Sequence, residues 1–191
     1  MVTIRTTIPW RGILKALWEQ RSILAIAIAT VWLTACTNQP ASSDMQVKVV
    51  RVVSGHTLEV LPLNNNRNTS SAKRVRLLGL DAPARRQLPW GPNAKQYLQD
   101  LASEQTLRLE FDRQREDQYQ RWLAYAWLDG TLINEQLLQQ GHAIAVSRYP
   151  NTKYQQRFTH AREQARLLER GIWNPEQPMR QTPAEFRRQN R

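Results

Sequence analysis

The feature of this sequence that most limits its possible folds is a pair of short segments in which apolar and polar residues alternate. In each segment the alternation changes phase part-way along. Residues 45–53 alternate in this way and change phase at positions 49–50. Residues 73–80 alternate as well and change phase at positions 77–78. Because a period of two is typical of a half-buried strand, a phase change within it predicts a bulge or a bend. Strands that bend are what the closure of a small β-barrel requires.

Three more strands and three helices are predicted from the same patterns. The further strands are 57–63, 106–112, and the central 122–128, which is apolar on both faces. Asp129-Gly130 predicts a tight hairpin turn after the last of these. The helices are one that begins at Pro92, one over 134–140 that stops at Gly141, and one over 152–170 that stops at Gly171. The pattern predicts an α+β fold, a β-barrel with helices, and an OB-type barrel fits the number and size of its strands.

The N-terminus has the pattern of a targeting segment. Basic residues precede an apolar run over 23–33 that is too short to span a bilayer comfortably. The run ends in Leu-Thr-Ala-Cys, which resembles a bacterial lipobox and contains the single cysteine of the chain, Cys36. We therefore predict a lipoprotein signal peptide over 1–35 and lipidation of Cys36. The alternative is a signal anchor followed by a buried core cysteine.

Lipidation would place the protein in the cell envelope, secreted and anchored to a membrane at the periplasmic or outer face. Residues 36–44 are small and polar and predict a flexible tether. Removal of 1–35 takes away four positive charges and one negative, which lowers the net charge from +11 to +8. Such a charge favours polyanions as partners, although it also serves solubility alone. We expect a monomer.

Three charged residues have the types and positions that phosphodiester chemistry needs. Arg76 lies in a predicted strand, Asp81 follows at the exit of that strand, and Arg121 comes about 40 residues later. A carboxylate can hold a cation. Two guanidinium groups can grip a phosphate and the charge that builds on it in the transition state. Each also has a plain structural alternative: an exposed strand arginine, a turn former before Pro83, and a surface loop arginine.

These residues lie in two motifs, Arg-Leu-Leu-Gly-Leu-Asp-Ala-Pro (76–83) and Asp-Gln-Tyr-Gln-Arg (117–121). With these motifs, the chain from Val49 to Trp173 resembles the staphylococcal nuclease (thermonuclease-like) family. The resemblance implies a five-stranded OB-type barrel with about three helices over 45–173. It also implies phosphate-binding catalytic roles for Arg76 and Arg121 and a calcium-ligand role for Asp81. Gln120 stands where the family has glycine, so the loop backbone is expected to differ.

Two acidic residues of the family pattern are absent. The motif Asp-Gly-Asp-Thr is replaced by Ser54-Gly55-His56-Thr57, and Asp-Thr-Pro-Glu by Asp81-Ala82-Pro83-Ala84. Calcium takes about six to eight oxygen ligands, so one carboxylate makes a poor cage. His56 is either a replacement metal ligand or base, better suited to manganese or zinc, or an exposed turn residue. Arg85-Arg86 add positive charge nearby, which opposes metal binding and favours phosphate.

The sequence therefore favours a nuclease-like phosphodiesterase acting on DNA or RNA, weakened by the missing acids and aided by a divalent metal ion. One alternative is a non-catalytic module that binds nucleic acid or another polyanion at the envelope. A third class is a scaffold lipoprotein that binds a partner protein. After Trp173 the chain is polar, and the capping box Thr182–Glu185 in the extension 174–191 predicts a short peripheral helix.

Overall fold

The computed structural model describes residues 44–63 and 71–190. The predicted signal peptide 1–35, Cys36 and most of the predicted tether lie outside the described residues. The strands are β1 Met45–Ser54, β2 Thr57–Pro62, β3 Lys73–Leu77, β4 Leu80–Asp81, β5 Thr106–Glu116, β6 Trp122–Leu128, β7 Thr131–Leu132 and β8 Ile144–Ala145. The helices are α1 Trp90–Ala102, α2 Ile133–Gln139, α3 Gln155–Leu167 and α4 Pro183–Gln189, with a 3₁₀ turn at Gly171–Trp173.

Five of these strands close into a barrel. β1 pairs with β2 and β5, β2 pairs with β3, and β5 pairs with β6, all antiparallel. A parallel pairing of β3 with β6 closes the ring. The apolar side chains that alternate along β5, Leu107, Leu109 and Phe111, are buried. The predicted α+β barrel fold is confirmed, and β6 is central as its two apolar faces indicated.

The two phase changes have different structural outcomes. In β1 the register with β2 shifts between Val49 and Arg51, and Val50 is left 53% exposed, so the predicted bulge is confirmed. The prediction of one strand over 73–80 is wrong, because β3 ends at Leu77 and a turn follows. Gly79 adopts φ +75° there, and a Cβ atom at this position would lie 2.2 Å from the Phe158 ring. The turn redirects the chain into β4, which pairs with β8 instead.

The helices cover the barrel on its outer side. α1 begins at Trp90, slightly before the predicted Pro92, and buries Ala94, Leu98 and Ala102. Gly91 lets α1 approach the preceding loop closely, because a Cβ atom there would lie 1.9 Å from the Ala84 carbonyl oxygen. No helix among residues 44–63 and 71–190 is long and apolar enough to cross a bilayer.

The C-terminal segment packs against the domain. The capping box at Thr182 is present and begins α4 as predicted. The helix is mostly exposed, in line with the expectation that it is peripheral, but its Arg187 forms an ion pair with Asp81. On the way, the Trp90 indole donates to the Gln177 carbonyl oxygen at 3.2 Å, and the Gln87 amide donates to the Gln181 carbonyl oxygen at 2.7 Å. Residues 174–190 thus return to Asp81 and to the loop that follows it.

Candidate phosphodiester site

Arg76 is buried within the barrel wall rather than exposed on it. Its side chain is 8% accessible, and its Nη2 donates to the Leu80 carbonyl oxygen at 3.0 Å and to Asp81 Oδ1 at 3.1 Å. Its Nη1 nitrogen is also buried and has no hydrogen-bond partner among the described residues. A buried donor without a partner costs free energy. The position is therefore better suited to a ligand than to the stability of the fold alone.

Positive charge accumulates around this guanidinium. Burial, together with the positive field of Arg148, Arg121 and Arg187 and against the opposing effect of Asp81, lowers the pKa of Arg76 to about 9. Arg76 stays protonated at neutral pH. A region in which cations depress one another's pKa gains free energy when an anion binds.

Asp81 lies in β4 and is almost inaccessible to solvent. Its Oδ1 accepts from Arg76, and its Oδ2 accepts from Arg187 Nη2 at 2.6 Å. Each carboxylate oxygen is therefore engaged by a guanidinium group. The β4–β8 pairing fixes the backbone here, with Asp81 opposite Ile144.

Arg121 is fixed by the acid that precedes it in the same loop. Its Nε and Nη2 lie 2.8 and 2.6 Å from Asp117 Oδ2. Asp117 Oδ1 accepts in turn from the backbone N–H groups of Tyr119 and Arg121, at 2.9 and 3.1 Å. Asp117 therefore both stabilises the conformation of the loop and orients Arg121.

Gln120 adopts φ +59°, which is the left-handed backbone that glycine favours. That the loop backbone differs from that of the family stays a prediction. Because a left-handed conformation costs a residue with a Cβ atom roughly 1 kcal/mol, we expect Gln120→Gly to raise the free energy of unfolding by up to about that amount. Urea denaturation measures it. Gln118→Gly is the matched control and should lower stability, and a loss of stability in Gln120→Gly would contradict the argument.

A cavity of about 240 Å³ brings the two predicted arginines together. It is lined by Arg76 and Arg121 and also by Arg148, which precedes a cis peptide bond at Tyr149-Pro150. Arg148 is exposed, and within residues 44–63 and 71–190 its guanidinium has no hydrogen bond or ion pair. We call this space, bounded by Arg76, Arg121 and Arg148, the arginine cavity. Asp81 and His56 flank it without lining it.

His56 is not an exposed turn residue, because its side chain is only 14% accessible. Its Nδ1 accepts from the Ala82 backbone N–H at 3.1 Å and lies 3.9 Å from Asp81 Oδ1. Burial, followed by the positive charge of Arg76 and Arg187, holds the pKa of His56 well below its usual value. The imidazole is therefore neutral, and the hydrogen bond assigns its proton to Nε2. Neither nitrogen then offers a free lone pair.

Comparison with known proteins places the chain in a family. The sequence model of the family "Staphylococcal nuclease homologue" matches residues 74–175. The chain belongs to the staphylococcal nuclease family. It is 34% identical to a thermonuclease of Staphylococcus hyicus over 138 residues, which cover 70% of this chain and 78% of that protein. It is 31% identical to a thermonuclease of Staphylococcus intermedius over 163 residues, 79% of this chain and 94% of that one.

A micrococcal nuclease of Shigella flexneri is 33% identical over 176 residues, which cover 87% of this chain and 92% of the relative. The predicted resemblance to the staphylococcal nuclease family is confirmed. These relatives also support the predicted enzyme class, a nuclease that hydrolyses phosphodiesters.

The described residues do not fit the calcium ion that the family implies. They contain no group of three or more His, Cys, Asp or Glu side chains that could hold a metal. The one carboxylate at the expected position, Asp81, is taken up by two guanidinium groups. Ala84 and His56 supply no carboxylate oxygen. Calcium requires about six to eight oxygen ligands, whereas the groups around Asp81 are cationic and rich in nitrogen.

Two further residues of the site were not identified as members from the sequence. Arg148 lies in no motif, and a single sequence cannot place it beside Arg76. Arg187 gave no signal at all, because it lies 106 residues from Asp81 in a polar segment without strand periodicity. The capping box at Thr182 predicts a helix but not where that helix docks.

Proposed function

We propose that this chain is a nuclease-type protein that binds the phosphodiester backbone of DNA or RNA in the arginine cavity and hydrolyses it slowly, with calcium not the preferred activator. The observation that carries the proposal is Arg76, a buried guanidinium with an unpartnered Nη1 at the wall of a cavity that two more arginines line. Family membership supplies the reaction class.

The three arginines divide the work of binding. Arg76 offers a fixed donor that loses no rotamer freedom on binding, because Asp81 already orients it. Arg121, held by Asp117, offers a second fixed guanidinium, and Arg148 adds an exposed cation at the rim. Guanidinium groups match two phosphate oxygens at once and stay charged when desolvated. The same groups can neutralise charge that builds on the phosphate during attack by water.

Slow hydrolysis follows from the groups that would activate the water. Ala84 carries no base. The pKa of His56 is held low and its Nδ1 is engaged by Ala82, so its imidazole is a poor proton acceptor here. Loss of a general base typically costs a factor of about 10²–10⁴ in rate.

The second candidate function is binding of nucleic acid without cleavage, and the neutralisation of Asp81 by two arginines favours it. Digestion of plasmid DNA and of RNA by protein lacking residues 1–36 separates the two. Slow cleavage that Arg76→Gln abolishes supports the enzyme, whereas binding with no cleavage in calcium, manganese, zinc or EDTA supports the binding module. Rapid calcium-dependent cleavage would contradict the proposal.

The arginine cavity predicts a defined dependence of binding on salt. Each phosphate that is neutralised on a single strand adds about −0.7 to the slope of log affinity against log salt concentration, so three arginines predict roughly −2 from this site. Anisotropy of a fluorescent oligothymidylate measures the slope. Arg148→Gln should reduce its magnitude by about 0.7, and Arg180→Gln, which changes the same charge outside the cavity lining, should reduce it less. Equal effects would contradict a localised site.

We also propose that the protein is a monomeric envelope lipoprotein anchored through Cys36. The lipobox pattern supports this, although Cys36 lies outside the described residues. We expect the intact mass of the membrane-extracted protein to include a diacylglyceryl group on a chain that begins at Cys36. Cys36→Ser should abolish the modification and release or mislocalise the domain. A soluble product cut elsewhere would contradict the proposal.

A further inference from the structure

We propose that Arg187 acts as an internal cation which holds Asp81 in the place of a metal ion, and so makes the arginine cavity a metal-independent binding site for phosphodiester anions. The inference rests on the proposed function of the cavity. It assigns Arg187 as a positioning residue, which acts on the bound anion through Asp81 and Arg76.

The first step is the charge balance at Asp81. A carboxylate that is only 5% accessible in its side chain needs positive partners, since burial of an isolated charge costs several kcal/mol. Arg76 occupies Oδ1 and Arg187 occupies Oδ2, so the two guanidiniums approach the carboxylate from separate oxygens. Each of the two oxygens through which the carboxylate could ligate a cation is therefore engaged by a guanidinium group.

The second step is the effect on Arg76. If Arg76 were the sole partner of Asp81, the negative charge of Asp81 would cancel the positive charge of Arg76. Arg76 would then attract an anion more weakly. Because Arg187 provides a second positive charge, the trio Arg76, Asp81 and Arg187 has a net charge of one positive unit. Arg76 therefore stays oriented by Asp81 while its Nη1 remains available.

The third step is that Arg187 is held in place by more than the ion pair. Pro183 is buried, and the capping box at Thr182 fixes the start of α4. Upstream, the carbonyl oxygens of Gln177 and Gln181 accept hydrogen bonds from Trp90 and Gln87. Gln87 belongs to the loop that follows Asp81, so the C-terminal segment is attached to the site at several points.

The proposal is tested with a fluorescent oligothymidylate and the full chain, by anisotropy in EDTA and in calcium or manganese at matched ionic strength. The wild-type chain should bind equally in all three. Arg187→Gln should weaken binding in EDTA roughly tenfold, because the freed Asp81 charge then competes for Arg76. Arg188→Gln removes the same charge from the next, exposed residue of α4 and should weaken binding only about twofold.

A double-mutant cycle separates positioning from direct contact. In the Asp81→Asn background, Arg187→Gln should cost no more than Arg188→Gln, since the charge that it balances is gone. Arg187→Lys should restore much of the affinity in the parent chain, and it keeps the test valid if Arg187→Gln fails to fold.

Each contrary result has a distinct meaning. A full Arg187→Gln effect in the Asp81→Asn background would overturn the inference and indicate direct contact with the anion. An effect equal to that of Arg188→Gln in the parent chain would overturn it in favour of a plain surface ion pair, and a requirement of the wild-type chain for a divalent ion would overturn it as well. Absence of binding by the wild-type chain would overturn the proposed function itself.

Discussion

The double substitution His56→Asp with Ala84→Glu is expected to raise calcium-dependent DNA cleavage by a factor of about 10² over the parent chain. The change returns a hard oxygen ligand beside Asp81, where His56 Nδ1 now lies 3.9 Å from the carboxylate, and it returns a carboxylate base at position 84. Adding Arg187→Gln should raise the rate further, because it frees Asp81 Oδ2. Release of acid-soluble nucleotides from DNA in calcium and in EDTA measures the rate.

The control for this gain is a change of the same composition away from the site. His160→Asp with Ala72→Glu alters two exposed residues and should leave cleavage at the parent level. Asp81→Asn in the His56→Asp and Ala84→Glu background should remove the gain. The prediction fails if the redesigned chain cleaves no faster in calcium than in EDTA, or if the parent chain already cleaves rapidly with calcium.

Arg76→Gln is expected to lower the affinity for single-stranded oligonucleotide by about tenfold to a hundredfold, the range typical of a lost hydrogen bond to a charged group. Stability should fall much less. Asp81 retains Arg187 as a partner, and the orphaned Nη1 nitrogen disappears with the substitution. Titration by anisotropy and urea denaturation of the same samples give both quantities.

Arg74→Gln is the matched control, because Arg74 lies in the same strand β3 and is exposed. It should change affinity by about twofold or less, in line with the loss of one screened surface charge. If Arg74→Gln and Arg76→Gln weaken binding equally, only summed charge matters and the arginine cavity is not the site.

Local sequence patterns predicted most strands of the barrel but not the turn between β3 and β4 beside the site. The alternations predicted β1 and β5 because burial of one face sets their period, and the run that is apolar on both faces predicted β6 as a central strand. The phase change at positions 77–78 indicated a bulge or a bend, but it did not reveal that β3 ends at Leu77, since Leu77, Leu78 and Leu80 are all apolar and buried. At this turn Gly79 leaves room for the ring of Phe158, a residue far along the chain.

The candidate site likewise contains residues that the sequence identified and residues that it did not. Arg76, Asp81 and Arg121 could be identified because they lie in sequence motifs that resemble those of the family. The state of His56 could not, since the hydrogen bond from Ala82 that engages its Nδ1 joins residues 26 positions apart and exists only in the folded chain. Contacts such as that of Arg187 depend on where a polar segment docks, and no periodicity encodes this.

The path of the C-terminal segment has a consequence for how the protein is prepared. Arg180 is exposed and lies in irregular chain, between the attachment points at Gln177 and Gln181. Endopeptidases that cut after basic residues prefer such positions. A nick there leaves the barrel whole but turns α4 into a separate peptide, which dilution can remove. A nicked sample and an intact one would then differ in the charge around Asp81 while giving the same spectroscopic signature of a folded barrel.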